Sequence, residues 1–258
     1  MKISITTIQA DLRWENKKAN YELFSKAIQE ASEKSSLIVL PEMFTTGFSM
    51  NTENLAEEMD GFSVKWLKEK AKNINKHLAG SLIIKEKNIF FNRLIVAYPN
   101  GEIKHYDKKH LFSYANENEN YSPGEQELII TIKGVKIAFF ICYDLRFPVW
   151  SRNYKLKYDI AVYIANWPEK RKNHWKTLLQ ARAIENQSYV VGVNRIGYDG
   201  NGIHYSGDSA VYNYLGEKSS NTQPFEHSVE NITINIDALY DYRMNFPAYL
   251  DADNFKIS

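Results

Sequence analysis

Residues 136–148 read KIAFFICYDLRFP, and this stretch holds the chain's only cysteine, Cys142. The apolar run reads as a strand, and its end coincides with the thiol, with Tyr143, Asp144 and Arg146 following at once. A cysteine serving only as a small hydrophobe belongs inside such a run, beside Ile137, Phe139 and Ile141. A thiol at the point where the strand stops is placed for chemistry, because loops from several segments converge at strand ends.

Working outward, the same strand-then-loop pattern recurs. KISITTIQADL reads as a first strand, with a helix near 15–32 after it. SLIVLPE (36–42) is a continuous apolar run of the kind covered on both faces. A helix is predicted near 62–76, with Phe62, Trp66, Leu67 and Ile74 as its inner stripe. HLAGSLIIKE, FFNRLIVAYPN and GEIKHYDKK read as successive strands, with PNG (99–101) as a tight turn. GVKIAFFIC follows as a strand, then a helix over 148–158, the strand YDIAVYIANWP and the helix HWKTLLQARAIENQ. SYVVGVNRIG, GDSAVYN and ENITINID are further strands, and ALYDYRMNF closes as a helix. Strands and helices alternate without a linker-like shift in composition. That predicts one α/β domain over residues 1–258, its strands covered by helices.

The bulk numbers exclude several classes. Basic and acidic side chains number 32 and 31, a net charge of +1, so no basic excess points to nucleic acid. A single cysteine rules out an internal disulfide framework and fits a reducing compartment. The N-terminal MKISITTIQADLRW lacks a signal-peptide apolar core, and no run is long enough to span a membrane, so the expected location is cytoplasmic. The six histidines, at 77, 105, 110, 174, 204 and 227, form no H-x-x-x-H pair, and no metal is expected. A G-x-S-x-G elbow, a P-loop and a dinucleotide glycine pattern are all missing, so neither serine hydrolysis nor a bound cofactor is expected.

Three strand ends carry complementary chemistry: Glu42 after LIVLP, Lys108 and Lys109 beside His110, and Cys142 after IAFFI. A thiolate can attack an amide or nitrile carbon and form a covalent acyl intermediate. An ammonium beside it favours the thiolate and offsets the oxyanion. A carboxylate can take the thiol proton, hand it to departing ammonia and then activate water. Each residue also has an ordinary structural reading. The cysteine can be a buried hydrophobe, Glu42 a loop cap or surface ion pair, and the lysines solvated charges.

The three together resemble the nitrilase superfamily of carbon–nitrogen hydrolases over essentially the whole chain. Its signatures occur in order as PEMFTTGF (41–48), YDKKHLF (106–112) and ICYDLRFP (141–148). The lysine two places before the histidine of Y-x-K-x-H is Lys108, and a second glutamate ahead of a P-G element is Glu117 or Glu119, with Glu117 the better match. Local context in CYDLRFPVWSRN, YIANWP and ARAIENQSYVVGVNRIG looks like the omega-amidase branch, which hydrolyses the side-chain amides of 2-oxoglutaramate and 2-oxosuccinamate. The resemblance implies a four-layer αββα sandwich and pairing of subunits as a homodimer. It implies Glu42 as general base, Lys108 as oxyanion stabiliser, Cys142 as nucleophile, Glu117 as an orienting acid and the Tyr143 amide as a further oxyanion donor.

A 2-oxo acid amide carries a carboxylate away from its scissile bond, so its site needs a cation there. Arg146 is the candidate clamp, with a bridge to Asp144 as its structural alternative. Phe44, Phe112, Tyr143 and Trp167 are candidate pocket walls or core, Asn166 is a candidate lining residue, and His174 and His204 are expected to shape nearby loops. Two other functions fit parts of the pattern: an amidase or carbamoyl hydrolase for another small carboxylate, and a non-catalytic binding protein on the same fold. The second predicts loss of at least one of Glu42, Lys108 and Cys142, yet all three are present.

Overall fold

A computed structural model describes residues 1–31 and 33–255. The strands, in chain order, are β1 (Lys2–Gln9), β2 (Leu37–Val39), β3 (His77–Glu86), β4 (Ile89–Ala97), β5 (Ile103–Asp107), β6 (Leu128–Ile132) and β7 (Val135–Ile141). β8 (Ile160–Ala165), β9 (Tyr189–Asn194), β10 (Ile196–Tyr198), β11 (His204–Ser206), β12 (Ala210–Tyr212) and β13 (Ser228–Asn235) complete them. The helices are α1 (Lys17–Ala31), α2 (Thr52–Leu55), α3 (Phe62–Ile74), α4 (Glu117–Asn120), α5 (Lys172–Glu185) and α6 (Ile236–Asn245).

Two large mixed sheets result, ordered β13-β1-β2-β3-β4-β5 and β12-β9-β8-β7-β6. Side-chain alternation sorts the first sheet into two faces. Ile3, Ile5, Leu37, Val39, Ala79, Leu94 and Val96 join the buried residues of β6–β9 in the central core. Ile38, Leu40, Leu78, Leu82, Ile84 and Ile95 point the other way, onto Phe24 and Ile28 of α1 and Val64, Trp66 and Leu67 of α3. α5 covers the outer side of the second sheet, because Gly192 of β9 leaves room for it. A Cβ there would lie 2.4 Å from Leu179 and 2.9 Å from Trp175. The layering is helix, sheet, sheet, helix, as expected for an αββα sandwich.

Two local expectations are corrected, and two elements are additional. Phe62 opens α3 with 63% of its surface exposed, its ring edge-on to Tyr21, while Val64 and Ala71 take its place in the buried stripe. No helix forms over 148–158 beyond a short turn at Tyr154–Leu156. There the Asn153 side chain bonds both the N–H and C=O of Tyr158, and its amide N–H donates to Asn186, so the backbone groups a helix needs are taken. β6, an edge strand in ELIITI, and the two-stranded β10–β11 ribbon are additional elements.

Sheet direction places the site. β2 runs parallel to β3, and β5 runs the same way because β4 is antiparallel to both neighbours. In the other sheet β7, β8 and β9 are parallel. Glu42, Lys108, Cys142 and Asn166 therefore follow the carboxyl ends of strands, where open α/β sheets collect ligands.

Candidate active site

The chain leaves β2 through Leu40, whose N–H still bonds Ala79 across to β3. Glu42 comes next and is fully buried, and Met43 turns in the left-handed region with φ +45°. The Met43 N–H donates to Ser81 Oγ at 2.8 Å, which anchors that turn to β3. Lys108 follows β5; its N–H bonds Asn92 of β4, and its carbonyl accepts from Gly124. The P-G element lies so close on this backbone that a Cβ at Gly124 would sit 2.2 Å from the Asp107 oxygen. Glu117 enters at the start of α4, after Asn116 in the left-handed region at φ +57°. Cys142 itself has φ +45° and begins a 3₁₀ turn, Cys142–Arg146. A cysteine there carries backbone strain that only a strongly determined surrounding holds.

That surrounding centres on Asp144. Its buried carboxylate accepts from the Ile141 N–H at 2.9 Å, the Tyr106 hydroxyl at 2.7 Å and the His110 N–H at 2.9 Å, with His110 Nδ1 at 2.8 Å. Tyr106 and His110 stand two places either side of Lys108, and Ile141 precedes Cys142. One carboxylate thus ties the lysine segment to the nucleophile turn. It also decides the alternative for Arg146: Asp144 is saturated elsewhere and forms no bridge to that arginine among the described residues.

Lys108 Nζ lies 3.1 Å from Glu42 Oε1 and 2.8 Å from Glu117 Oε2, and all three side chains are inaccessible to solvent within a percent. Asn92 Nδ2 donates to Glu42 Oε1 at 2.7 Å, and the Asn166 N–H donates to Glu42 Oε2 at 2.7 Å. Glu117 also accepts from the Phe112 N–H at 2.6 Å and from Asn92 Nδ2 at 3.3 Å. Glu119, the neighbouring alternative, is exposed on α4. Lys109 turns away and lies over the Trp150 ring.

Electrostatics follow from two carboxylates facing one ammonium. Burial pulls the Lys108 pKa down, but Glu117 and Glu42 outweigh it and hold the ammonium well above the ordinary lysine range. Glu117 is raised, chiefly by burial, against the pull of Lys108. The Cys142 thiol is also raised well above its ordinary value, by burial first and Glu42 second, with Lys108 pulling the other way. Lys108 pulls toward the thiolate, yet its charge is already shared by two carboxylates. The raised thiol holds its proton more tightly, and that proton leaves as the sulfur attacks. Sγ points toward the Asn166 carbonyl at 3.9 Å.

A cleft of about 610 Å³ opens over Cys142 and Lys108. Phe112, Tyr143, Arg146, Asn166 and Trp167 of the expected set line it. Arg146 lies over the Trp167 ring at 4.9 Å and donates to His174 Nδ1 at 3.0 Å. His204 reaches the rim, stacked on Tyr198 and bonded to Glu169 at 2.8 Å. Phe44 is a correction. It faces away from the cleft, fully buried against Phe24 and Trp66, in space left by Gly80.

Several lining and supporting residues were not singled out by the sequence reading. Phe48, Tyr205 and Arg171 line the cleft, Asn92 supports Glu42, and Asn194 fixes the Asn166–Trp167 corner through bonds of 2.8 Å and 3.0 Å to Trp167. Asn92 had a signal, a polar side chain inside the apolar run FFNRLIVAY.

Residues 4–244 match the family described as carbon-nitrogen hydrolase. The chain is 42% identical to omega-amidase YafV of Escherichia coli K12, over 99% of this chain and 98% of that protein. It is 37% identical to a 2-oxoglutaramate amidase of Bacillus subtilis strain 168, over 76% of this chain and 78% of that one. The crystal structure of XC1258 from Xanthomonas campestris, a CN-hydrolase superfamily protein with an arsenic adduct in its active site, superposes with a TM-score of 0.97 at 39% identity, covering both chains fully. The chain belongs to the carbon-nitrogen hydrolase family, with the fold of the nitrilase superfamily.

Proposed function

We propose that the protein is a thiol-dependent omega-amidase that hydrolyses the side-chain amide of 2-oxoglutaramate or 2-oxosuccinamate to the 2-oxo dicarboxylate and ammonia. The observation that carries this reading is the buried Glu42–Lys108–Glu117 set beside a lone thiol at the floor of a cleft. The likeness to omega-amidases supports the substrate class.

In this mechanism Glu42 takes the Cys142 proton as Sγ attacks the amide carbon. The carbonyl electrons move to oxygen, which meets the Lys108 ammonium and the Tyr143 N–H at the first turn of the 3₁₀ segment. Collapse breaks the C–N bond, and Glu42 gives its proton to the departing nitrogen as ammonia. A water then loses a proton to Glu42 and attacks the thioester; the C–S bond breaks, Glu42 returns that proton to Sγ, and the product acid leaves and ionises in water. Glu117 holds Lys108 in place, Arg146 takes the far carboxylate, and Phe112, Tyr143 and Trp167 wall the acyl chain, with Asn166 closing the floor.

The same reading takes the chain as one domain that works as a cytoplasmic homodimer. Exposed Tyr240, Met244, Phe246 and Leu250, in and after α6, support the pairing, and light scattering tests it. No helix among the described residues is long and apolar enough to cross a membrane. A second reading, hydrolysis of another small carboxylate-bearing amide, draws on the size of the cleft, which exceeds a five-carbon acid.

Ammonia release from 2-oxoglutaramate, with glutamine, asparagine and a simple aliphatic amide alongside, tests both. Rapid release from the oxo acid amide that disappears in Cys142→Ala is expected. Turnover of a different amide alone would retain the thiol mechanism and overturn the substrate.

A further inference from the structure

The chain contains eight arginines. Six of them, Arg13, Arg93, Arg152, Arg182, Arg195 and Arg243, lie within 4.0 Å of a carboxylate. Arg146 and Arg171 have no such partner among the described residues, and both line the cleft over Cys142. Both are half-buried, and each guanidinium lies over an aromatic face, Trp167 at 4.9 Å and Phe112 at 5.4 Å. The platform under Arg146 is tied to the Arg171 segment, since Trp167 Nε1 donates to the Arg171 carbonyl at 2.9 Å. Glu169, the acidic residue on the rim, is already bonded to His204 and Lys172.

A half-buried guanidinium without a counter-ion loses hydration and leaves its charge unbalanced, since the ring beneath each and the His174 nitrogen beside Arg146 carry no negative charge. Two of them in one cleft, above a floor carrying two carboxylates and one ammonium, give the cleft a direction. A bound molecule turns its anionic end to the rim and its neutral amide to the floor. We propose that Arg171 is a specificity residue that reads the oxygen at C2 of the substrate, while Arg146 takes the adjoining carboxylate. The inference rests on the omega-amidase reading and refines its substrate class to amides of 2-oxo acids as against 2-amino acids.

The chemistry separates these two classes cleanly. A 2-oxo carboxylate presents three acceptor oxygens, carries a negative charge and has no donor at that end. Two planar donor forks can meet it without conflict. A 2-amino acid puts an ammonium, donor-only and positive, in the same place, so like charges and facing donors oppose it. A substrate with neither group leaves Arg171 unmatched but not repelled.

The test uses Cys142→Ala, so that amides bind without turning over, and titrates 2-oxoglutaramate, the monoamide of glutaric acid and glutamine by calorimetry. The expected order is oxo acid, plain acid, amino acid. Adding Arg171→Gln should weaken 2-oxoglutaramate by at least ~10-fold and the plain acid amide by no more than ~3-fold, as removal of one charge-assisted bond predicts. Arg171→Lys, which keeps charge and loses the fork, should fall between. Unchanged 2-oxoglutaramate binding in Arg171→Gln, an equal loss for all three ligands, or no binding of 2-oxoglutaramate to Cys142→Ala would each overturn the assignment. In the enzyme with Cys142 intact, absence of turnover of any of these amides sinks the omega-amidase reading, and the titration still judges Arg171.

Discussion

At the floor of the cleft, Lys108 is fully buried and bonded to the equally buried Glu42 and Glu117, whereas at the rim Arg146 and Arg171 are half-buried and meet no carboxylate among the described residues. The floor is finished before any ligand arrives. Its charges are oriented by Asn92, Asn166 and the Phe112 amide, so they need no rearrangement when an oxyanion forms. The rim is unfinished, and its gain comes only on binding. Substitutions at the floor should therefore fall on kcat and on folding, and substitutions at the rim on KM.

The largest effects test whether the floor is a working unit. Cys142→Ala should reduce amide hydrolysis by ~10⁴-fold or more, with stability within about 1 kcal/mol, because the residue sits at a strand end and is partly exposed. Hydrolysis retained by the purified variant removes the nucleophile assignment. Lys108→Met should lose activity by at least ~10³-fold and also cost about 3–5 kcal/mol, since it leaves two buried carboxylates without their cation. Denaturant unfolding with the parent's midpoint would show that the pairing contributes little.

Asp144→Asn probes the link between the two halves of the floor. Asn turns one of the two acceptor oxygens into a donor amide, which then faces either the Tyr106 hydroxyl and Ile141 N–H or the His110 N–H, so the nucleophile turn shifts relative to Lys108. A loss of ~10–100-fold in kcat is expected, with KM within ~3-fold of the parent. An equal change in KM would make Asp144 a fold residue only.

The thiol supplies a smaller effect whose two arms have opposite signs. Glu42 raises the Cys142 pKa and Lys108 lowers it. Removing the anion in Glu42→Gln lowers that pKa, increases the thiolate at pH 8 and speeds alkylation by a small neutral reagent several-fold, even as amide hydrolysis fails. Lys108→Met raises the pKa further and slows the same reaction. In the parent, alkylation should keep rising from pH 7 to 9 without levelling, because the raised thiol is still protonated there. A plateau near neutrality would mean a preformed thiolate.

Strand ends were legible because apolar runs stop at Glu42, Cys142 and Asn166, and ordered motifs singled out Lys108 and favoured Glu117. The sequence was silent wherever a partner from another segment decides the outcome. Four residues of α4 offer no periodicity to separate Glu117 from Glu119, and only the approach of Lys108 does so. The ELIITI strand was missed since an edge strand beside a turn carries few residues, and the 148–158 helix was cancelled by Asn153 bonding Tyr158. Arg171 stands in a run of charges, and that it meets no carboxylate among the described residues is a property of the folded cleft.

Phe44 shows the same limit and yields the smallest prediction. Two residues after the base, it stood equally well as pocket wall or core. The deciding feature is Gly80 on the neighbouring strand, where a Cβ would come within 2.9 Å of the Phe44 ring. The ring fills that gap on the helix side of the sheet, between Phe24 and Trp66, with the sheet separating it from the cleft. Phe44→Leu should then cost about 1 kcal/mol in urea unfolding, as a hydrophobic swap in a packed core does, while KM for 2-oxoglutaramate stays at the parent's value. A raised KM with unchanged stability would return Phe44 to the pocket, and would mean that the Glu42 turn transmits core packing into the site.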